Sequence, residues 1–288
     1  MKWLFGSENK ENDENFVYYA SDLVDAAKSG NYELLLNILD HEQSDLEVDA
    51  LNQNGETALY VAILQCMEGL EQVEEEEKSR LPSFARFIRN RQSQHKKKRM
   101  ARLGWCIKIL VKRGADLNFI RKSFESGDGF AAIHSASRAG DLPLVKWLVK
   151  EGCDYNLPTL KMKRTPLMLA AMGAHVDTTL FLLSTCGLKT LNLRDAEGDT
   201  ALHLASIHGE IDFVQMLLKC GANLHARNHA HRTAAEEALF SSNNREIYES
   251  LLLSKDQRNE NDIRERMDYL CNLYGVKEII DNSNIIKK

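Results

Sequence analysis

The side chains of this 288-residue chain with the clearest capacity for chemistry are its histidines. Three of the nine, His225, His229 and His231, lie within the segment HARNHAH, where imidazole nitrogens could bind a metal ion. No cysteine or carboxylate is arranged to complete a site with them, and the segment reads as a turn between two helical units. We therefore interpret the three as exposed turn residues and expect no metal site.

Other reactive residue types also lack a supporting pattern. The six cysteines form no CxxC pair and have no zinc-like spacing, which favours small buried residues in a reducing compartment. GDGFAA at residues 127–132 fits a dinucleotide-binding glycine pattern, but no strand precedes it. The chain has no GxSxG, HExxH, P-loop or kinase signature. The sequence therefore predicts that the protein is not an enzyme and uses no cofactor.

His134 and His203 belong to a segment that returns along the chain, which directs attention to the elements that position them. The third residue of each aligned copy serves as its anchor. The anchors Ala131, Thr165, Thr200 and Thr233 are separated by steps of 34, 35 and 33 residues. A fixed period of this size indicates stacked repeats. The copies are GETALYVA (55–62), GFAAIHSA (129–136), KRTPLMLA (163–170), GDTALHLA (198–205) and HRTAAEEA (231–238).

Each copy reads as the start of a pair of helices. Thr200 is a suitable N-cap, whose hydroxyl can accept a hydrogen bond from a first-turn amide. A short helix with small residues follows, and then EIDFVQMLLKC, whose apolar residues have helical spacing. Gly221 begins the next turn. One such pair cannot bury its apolar face alone, whereas a stack of pairs can.

These segments resemble the ankyrin repeat family, whose pattern is G-x-T-P-L-H-x-A-A followed by V-x-x-L-L-x-x-G-A-D. TPLMLAA at 165–171 and LVKRGADLN at 110–118 match closely. The resemblance implies an all-α ankyrin-repeat solenoid of about six helix-turn-helix units over residues 17–254. It also implies that His134 and His203 join neighbouring turns through hydrogen bonds. In the sixth unit AEE replaces the apolar-His segment, which we interpret as a terminal cap with a wetted face.

A charged insertion interrupts the second unit at residues 68–103. EQVEEEEK (71–78) is acidic, whereas RFIRNRQSQHKKKRMAR (86–102) holds eight basic residues and no acid. A projecting helical hairpin and a disordered loop both fit this pattern. The run Lys96, Lys97, Lys98 and Arg99 is a candidate basic arm. Its alternatives are a nuclear-import signal, a phosphate-binding patch, a partner-specific arm and a solvated face.

The rest of the chain bounds the location and the domain limits. We expect a flexible tail at 1–16, a C-terminal helix that caps the last repeat, and a frayed end, the last two within 255–288. A net charge of −5 and the absence of a long apolar stretch favour a soluble protein of the cytoplasm, with nuclear entry left open. We favour a monomer.

The resemblance implies that a partner protein or peptide binds the turn tips and the exposed ends of the first helices, which line a concave surface. The candidate partner-binding residues are Phe130, Arg138, Lys161, Met162, Arg164, Met172, Glu197, Asp199, Ile207, His208, Arg232 and Phe240. Their mixed charge favours a protein over nucleic acid. We therefore predict a non-catalytic adaptor, scaffold or regulatory inhibitor. The alternatives are nucleic-acid or anionic-lipid binding through 86–102, and cytoplasmic retention of a transcription factor.

Overall fold

The regular secondary structure of the described residues is almost entirely helical, as the repeat pattern predicts. The computed structural model describes residues 19–41, 46–66, 102–122, 128–208 and 210–254. The helices within these ranges are α1 Ala20–Ser29, α2 Tyr32–Asp40, α3 58–66, α4 102–112, α5 Ala132–Ala139, α6 Leu142–Lys150, α7 Pro166–Met172, α8 Val176–Cys186, the 3-10 helix Leu188–Asn192, α9 Ala201–His208, α10 Ile211–Lys219, α11 Ala234–Ser242 and α12 Arg245–Leu253. A two-residue ladder joins strand β1 (Arg121–Lys122) to strand β2 (Gly129–Phe130) in antiparallel register. The all-α fold is confirmed.

The chain divides into an N-terminal compact unit, Met1–Ala115, and a C-terminal compact unit, Asp116–Lys288. In the N-terminal compact unit, α4 lies beside α2 and runs in the same direction. A Cβ atom added to Gly30, just before α2, would lie 3.2 Å from Cβ of Arg102 at the start of α4. Arg113, just after α4, donates a hydrogen bond to the carbonyl of Leu39 near the end of α2 at 3.3 Å. The fully buried core residues of this unit include Leu23, Leu35, Ile38, Leu103 and Leu110.

The C-terminal compact unit stacks its helices in two rows. The first helix of each pair packs on the next, α5 on α7, α7 on α9 and α9 on α11. The second helices also meet, α6 with α8 and α10 with α12. Small residues on the first helices, such as Ala136, Ala170 and Ala205, are fully buried, which allows these helices to approach closely. Neighbouring units therefore supply the burial that a single pair of helices lacks.

Side-chain caps fix where several of these helices begin. The hydroxyls of Thr165 and Thr233 accept from the amides three residues later, at 3.3 Å and 3.4 Å. Asp141 and Asn244 cap two of the second helices in the same way. Thr200 differs from the sequence prediction, because its hydroxyl lies 2.9 Å from Nδ1 of His203 instead of capping an amide.

A histidine side chain fills the space above two glycines at the bend between helices. Gly140 ends α5 with a φ of 73°, and a Cβ atom added there would lie only 2.4 Å from the ring of His175. A Cβ atom on Gly173 would lie 2.3 Å from the same ring. Nε2 of His175 lies 2.9 Å from the carbonyl oxygen of Arg138, to which it donates. Both glycines are therefore needed for the ring to join two successive bends.

We expect Leu202→Ala to lower the free energy of unfolding by about 2–5 kcal/mol, because the side chain is fully buried in α9 and its removal leaves a cavity. Urea denaturation followed by circular dichroism measures the loss. Leu253→Ala is the matched control, since this leucine is 84% exposed and its truncation should cost roughly 0.5 kcal/mol or less. Equal losses in the two variants would contradict the packing described for α9.

Candidate protein-binding surface

The tips of successive turns in the C-terminal compact unit are joined by backbone hydrogen bonds. The amide of Leu160 donates to the carbonyl of Gly129, that of Ala196 to Met162, and that of His229 to Glu197, at 3.4, 2.7 and 2.9 Å. These bonds use polar groups that would otherwise need water. The tips therefore form an edge that is connected through backbone groups.

Polar side chains at the starts of two turns, Asp195 and Asn228, close these turns from within. Oδ1 of Asp195 accepts from the amides of Glu197 and Asp199, both at 2.9 Å. Oδ1 of Asn228 accepts from the amides of Ala230 and Arg232. Short oxygen-bearing side chains favour this arrangement, because they can hydrogen-bond the backbone a few residues ahead. The exposed tip residues are therefore not needed to hold the turn.

Two buried imidazoles join the first helices α5 and α9 to the turns that follow them. Nδ1 of His134 accepts from the amide of Ala131 at 2.9 Å, and its Nε2 donates to the carbonyl of Leu157 at 2.6 Å. His203 likewise donates through Nε2 to the carbonyl of Arg232 at 3.1 Å. Facing a donor on one side and a carbonyl on the other, each ring must be neutral with its proton on Nε2. The predicted structural role of both histidines is confirmed.

The structure gives the candidate partner-binding residues different exposures. Arg138, Lys161, Glu197, His208 and Phe240 are exposed. Phe130, Met162, Arg164, Met172, Ile207 and Arg232 are half-buried. Lys163, which the sequence analysis missed, is also exposed, and it adopts a φ of 57° between Met162 and Arg164. The sequence could have indicated Lys163 through its position between two candidate partner-binding residues, Met162 and Arg164.

Four of these residues occupy the same position on successive first helices. The seventh residue of each first helix is Arg138 in α5, Met172 in α7, Ile207 in α9 and Phe240 in α11. We call these four residues the first-helix row. Because α5, α7, α9 and α11 pack one on the next, the row runs across four units. Phe240 is the most exposed apolar member, at 72%.

Asp199 corrects the expectation of an exposed residue, because only 5% of it is exposed. Its carboxylate accepts a hydrogen bond from Nδ2 of Asn228 at 2.8 Å, and the same amide group donates to Glu237 at 3.1 Å. Burial raises the pKa of Asp199, while the bond from Asn228 opposes that rise. Asp199 therefore belongs to the packing between two units and is not available to a partner.

Glu237 also differs from the wetted cap face expected for the sixth unit. It is buried and pairs with Arg232, whose Nε donates to its carboxylate. Burial alone would raise the pKa of Glu237, but hydrogen bonds from Arg232, Ser241 and Asn228 hold it below its ordinary value. The guanidinium of Arg232 lies 4.0 Å from the centre of the Phe240 ring. Arg232 thus connects a buried carboxylate to an exposed aromatic ring.

Arg164 is similarly held by the protein itself. Its Nε lies 3.1 Å from Oδ2 of Asp195, whose side chain is fully buried. By contrast, Arg138, Lys161 and Lys163 form no ion pair with another residue in the described ranges. These three are the cations of this surface that a partner could neutralise.

Several predicted segments fall outside the described residues. These are the tail at 1–16, the basic arm Lys96, Lys97, Lys98 and Arg99, the segment 255–288, and all of the insertion 68–103 except its last two residues. Those two, Arg102 and Leu103, lie in α4, and Leu103 is fully buried.

Comparison with known proteins agrees with this architecture. The family model described as ankyrin repeats (3 copies) matches residues 99–190, 133–228 and 186–264, which together exceed half of the chain. The chain belongs to the ankyrin repeat family. Its α5–α12 region is thus a run of ankyrin repeats, the kind of unit that serves as a protein–protein interaction module.

The ankyrin repeats resemble parts of several larger proteins. They are 30% identical over 129 residues to ZDHHC13 of Danio rerio, which is named as a palmitoyltransferase, covering 45% of this chain and 19% of that protein. They are 35% identical over 95 residues to the NF-kappa-B inhibitor cactus of Drosophila melanogaster, covering 33% of this chain and 19% of cactus. Rabankyrin-5 of Homo sapiens is 29% identical over 135 residues, 43% of this chain and 11% of that protein. The chain spans about a fifth or less of each relative.

A solved structure supports the same fold. A chain in the complex of the predatory endopeptidase Bd0816 with the immunity protein Bd3460, from Bdellovibrio bacteriovorus, superposes with a TM-score of 0.57. The match covers 83% of this chain and 100% of that chain at 19% identity, so it shows the fold alone.

Two other features are absent from the described residues. None of their helices has the length and apolar character that a membrane crossing needs. Within the same ranges, no three His, Cys, Asp or Glu side chains come together as metal ligands would.

Stability should fall as the pH drops below about 6.5, the ordinary pKa of histidine. Burial lowers the pKa of His134 and of His203 in the folded state, so the unfolded chain binds protons first and acid favours unfolding. Urea denaturation between pH 7.5 and pH 5.5 measures this slope. H134Q/H203Q should be less stable at pH 7.5 but should show a shallower slope.

H225Q/H229Q is the matched control, because both of these histidines are exposed on a turn. This variant should keep the slope of the unmodified protein. A slope that disappears in the control, or persists in H134Q/H203Q, would show that the two buried rings do not cause the pH dependence.

Proposed function

We propose that this ankyrin repeat protein is a non-catalytic interaction module of the cytoplasm, which acts as an adaptor or scaffold. It binds a partner protein or peptide through the first-helix row and the neighbouring turn tips. The coarse function comes with the family, whereas the residues and the partner are our proposal. The observation that carries it is the arrangement around Phe240.

Phe240 has the features of an interface anchor. Its ring is 72% exposed, and the guanidinium of Arg232 lies against it at 4.0 Å. Arg232 is fixed in turn by Glu237, so the ring and the cation form a platform that is ordered before a partner arrives. Aromatic and arginine side chains are enriched at the centres of protein interfaces, and prior order reduces the entropy lost on binding.

The first-helix row also indicates the chemistry of the partner. The row begins with Arg138, a cation that has no ion pair among the described residues, and continues through Met172 and Ile207 to the ring of Phe240. Packed helices lie about 8–10 Å apart, so the row spans roughly 24–30 Å. An extended peptide of about seven to nine residues covers that length at about 3.3 Å per residue. We propose a segment that is acidic at one end and apolar along the rest.

The resemblance to cactus favours one regulatory version of this function. Cactus is named an NF-kappa-B inhibitor, and 33% of this chain aligns with it. An inhibitor that retains a transcription factor in the cytoplasm is therefore the second candidate. Purification of partners from the native lysate, followed by mass spectrometry, distinguishes this version from an adaptor with other partners.

We expect Arg138→Ala and Phe240→Ala each to weaken partner binding by about tenfold or more while leaving thermal stability nearly unchanged, because both side chains are exposed. Affinity purification from lysate identifies the partner, and titration of the purified partner gives the dissociation constant. Lys150→Ala and Leu253→Ala are controls, since these exposed residues lie at the ends of second helices.

The proposal fails if the unmodified protein binds no partner, or if the partner binds all four variants equally well. Equal thermal losses in Arg138→Ala and Leu202→Ala would also count against it, since they would mean that Arg138 contributes to packing.

We further propose that most of the insertion serves recognition rather than packing. The variant should replace residues 68–100 with a short glycine-containing turn and keep Leu103, which is buried in α4. We expect the fold to survive, because repeats pack mainly on their neighbours, and partner binding to be lost. Circular dichroism and titration measure the two effects.

Charge reversal of Lys96, Lys97, Lys98 and Arg99 should reproduce the loss of binding. If the deletion variant unfolds, the insertion packs against the repeats. If it binds normally, the insertion is a solvated segment without a role in recognition.

A further inference from the structure

The outward face of α4 carries a row of basic residues around one tryptophan. Arg102, Trp105, Lys108 and Lys112 follow one another at steps of three, three and four residues, so they lie along one side of the helix, and all four are exposed. We call them the α4 stripe. The opposite side of the same helix is buried through Leu103, Cys106, Ile107 and Leu110.

Trp105 is unusual within this stripe because it is 58% exposed on a helix that is otherwise well packed. Large aromatic side chains contribute most to stability when they are buried, so the fold gains little from this ring. Nζ of Lys108 lies 5.3 Å from the centre of the ring, so a cation and an aromatic surface are presented together.

Among the described residues, the charges of the stripe have no counter-charge. Arg102, Lys108 and Lys112 form no ion pair with any residue in the described ranges, whereas Arg113, next to the stripe, pairs with Asp40. On the neighbouring helix α2, Glu33 is an exposed acid. Residues 86–115 contain eleven Lys or Arg and no Asp or Glu, so the stripe continues a basic region of the sequence.

We propose that the α4 stripe binds the surface of an anionic membrane. The three cations attract lipid phosphates and carboxylates, and Trp105 lies at the headgroup level, where amphipathic aromatic rings are favoured. The stripe is about 15 Å long on a rigid helix, and a straight exposed row can meet a plane along its whole length.

A membrane fits better than a single-stranded nucleic acid. Proteins that bind single strands without sequence preference stack successive bases on several aromatic rings, and the stripe has one. The attraction from three cations and one ring is modest, since stable anchoring needs more than one membrane signal. Binding should therefore be reversible and should increase with the fraction of anionic lipid. The stripe shares no residue with the first-helix row, so this proposal is independent of the proposed partner binding.

The test uses the full chain with vesicles of phosphatidylcholine alone and of phosphatidylcholine with 30% phosphatidylserine, at low and at physiological salt. We expect binding to the anionic vesicles only, weakened by salt. K108E/K112E should lower the affinity by about tenfold or more, and Trp105→Ala by several-fold. K150E/K219E makes the same change in net charge at exposed lysines of α6 and α10 and should stay within twofold of the unmodified protein.

A second readout reports on the ring itself. Brominated lipid should quench the tryptophan fluorescence of the unmodified protein, and Trp105→Phe should remove most of that quenching although Trp3 and Trp147 remain. Circular dichroism confirms that each variant is folded.

Four results would overturn the proposal. The first is that the unmodified protein fails to bind anionic vesicles at low salt. The second is that K108E/K112E binds as well as the unmodified protein. The third is that K150E/K219E weakens binding as strongly as K108E/K112E does. The fourth is a single-stranded oligonucleotide that binds more tightly than the vesicles and displaces them through the same lysines, which would identify the stripe as a nucleic-acid surface.

Discussion

The hydrogen bonds of two buried imidazoles, those of His134 and His203, hold much of the C-terminal compact unit in place. Each ring accepts from the backbone at the start of its own helix and donates to a carbonyl 23 or 29 residues further along. The bond can form only when the helix start and the following turn are both correctly placed. Local structure and stacking are therefore established together, which is why a ring that could do chemistry serves the architecture instead.

A second buried network has the same effect at the boundary with the sixth unit. Asp199 and Glu237 would repel each other if they met directly, but Asn228 lies between them and donates to both. Arg232 supplies the compensating positive charge to Glu237. Buried carboxylates are tolerated only when their hydrogen bonds and charges are satisfied in this way. The exposed platform of Phe240 and Arg232 therefore depends on a network of buried carboxylates.

The sequence was sufficient to predict the fold, because Thr165 and Thr233 mark helix starts locally and the period between copies places the helices in order. It could not predict the exposure of individual residues equally well. Asp199 lies at a position that the family pattern leaves exposed, yet it is buried because of Asn228, 29 residues later. Thr200 has the sequence of an N-cap, but a ring three residues away takes its hydroxyl. Trp105 adjoins the charged insertion, and its exposure depends on which side of α4 faces the core. The burial of Asp199 and the exposure of Trp105 depend on tertiary packing, whereas Thr200 had two local hydrogen-bond partners to choose between.

The first-helix row has a consequence for how a bound segment could be oriented. Its four members differ in kind: a guanidinium, a thioether, a branched aliphatic chain and an aromatic ring. A segment shifted by one repeat would place its carboxylate against Met172 and leave Arg138 without a counter-charge. A segment lying in the reverse direction would place an acid over Phe240. Repeats of similar backbone would otherwise offer several equivalent registers to a bound segment. If the proposed row binds one, its unequal side chains would favour a single register and a single direction.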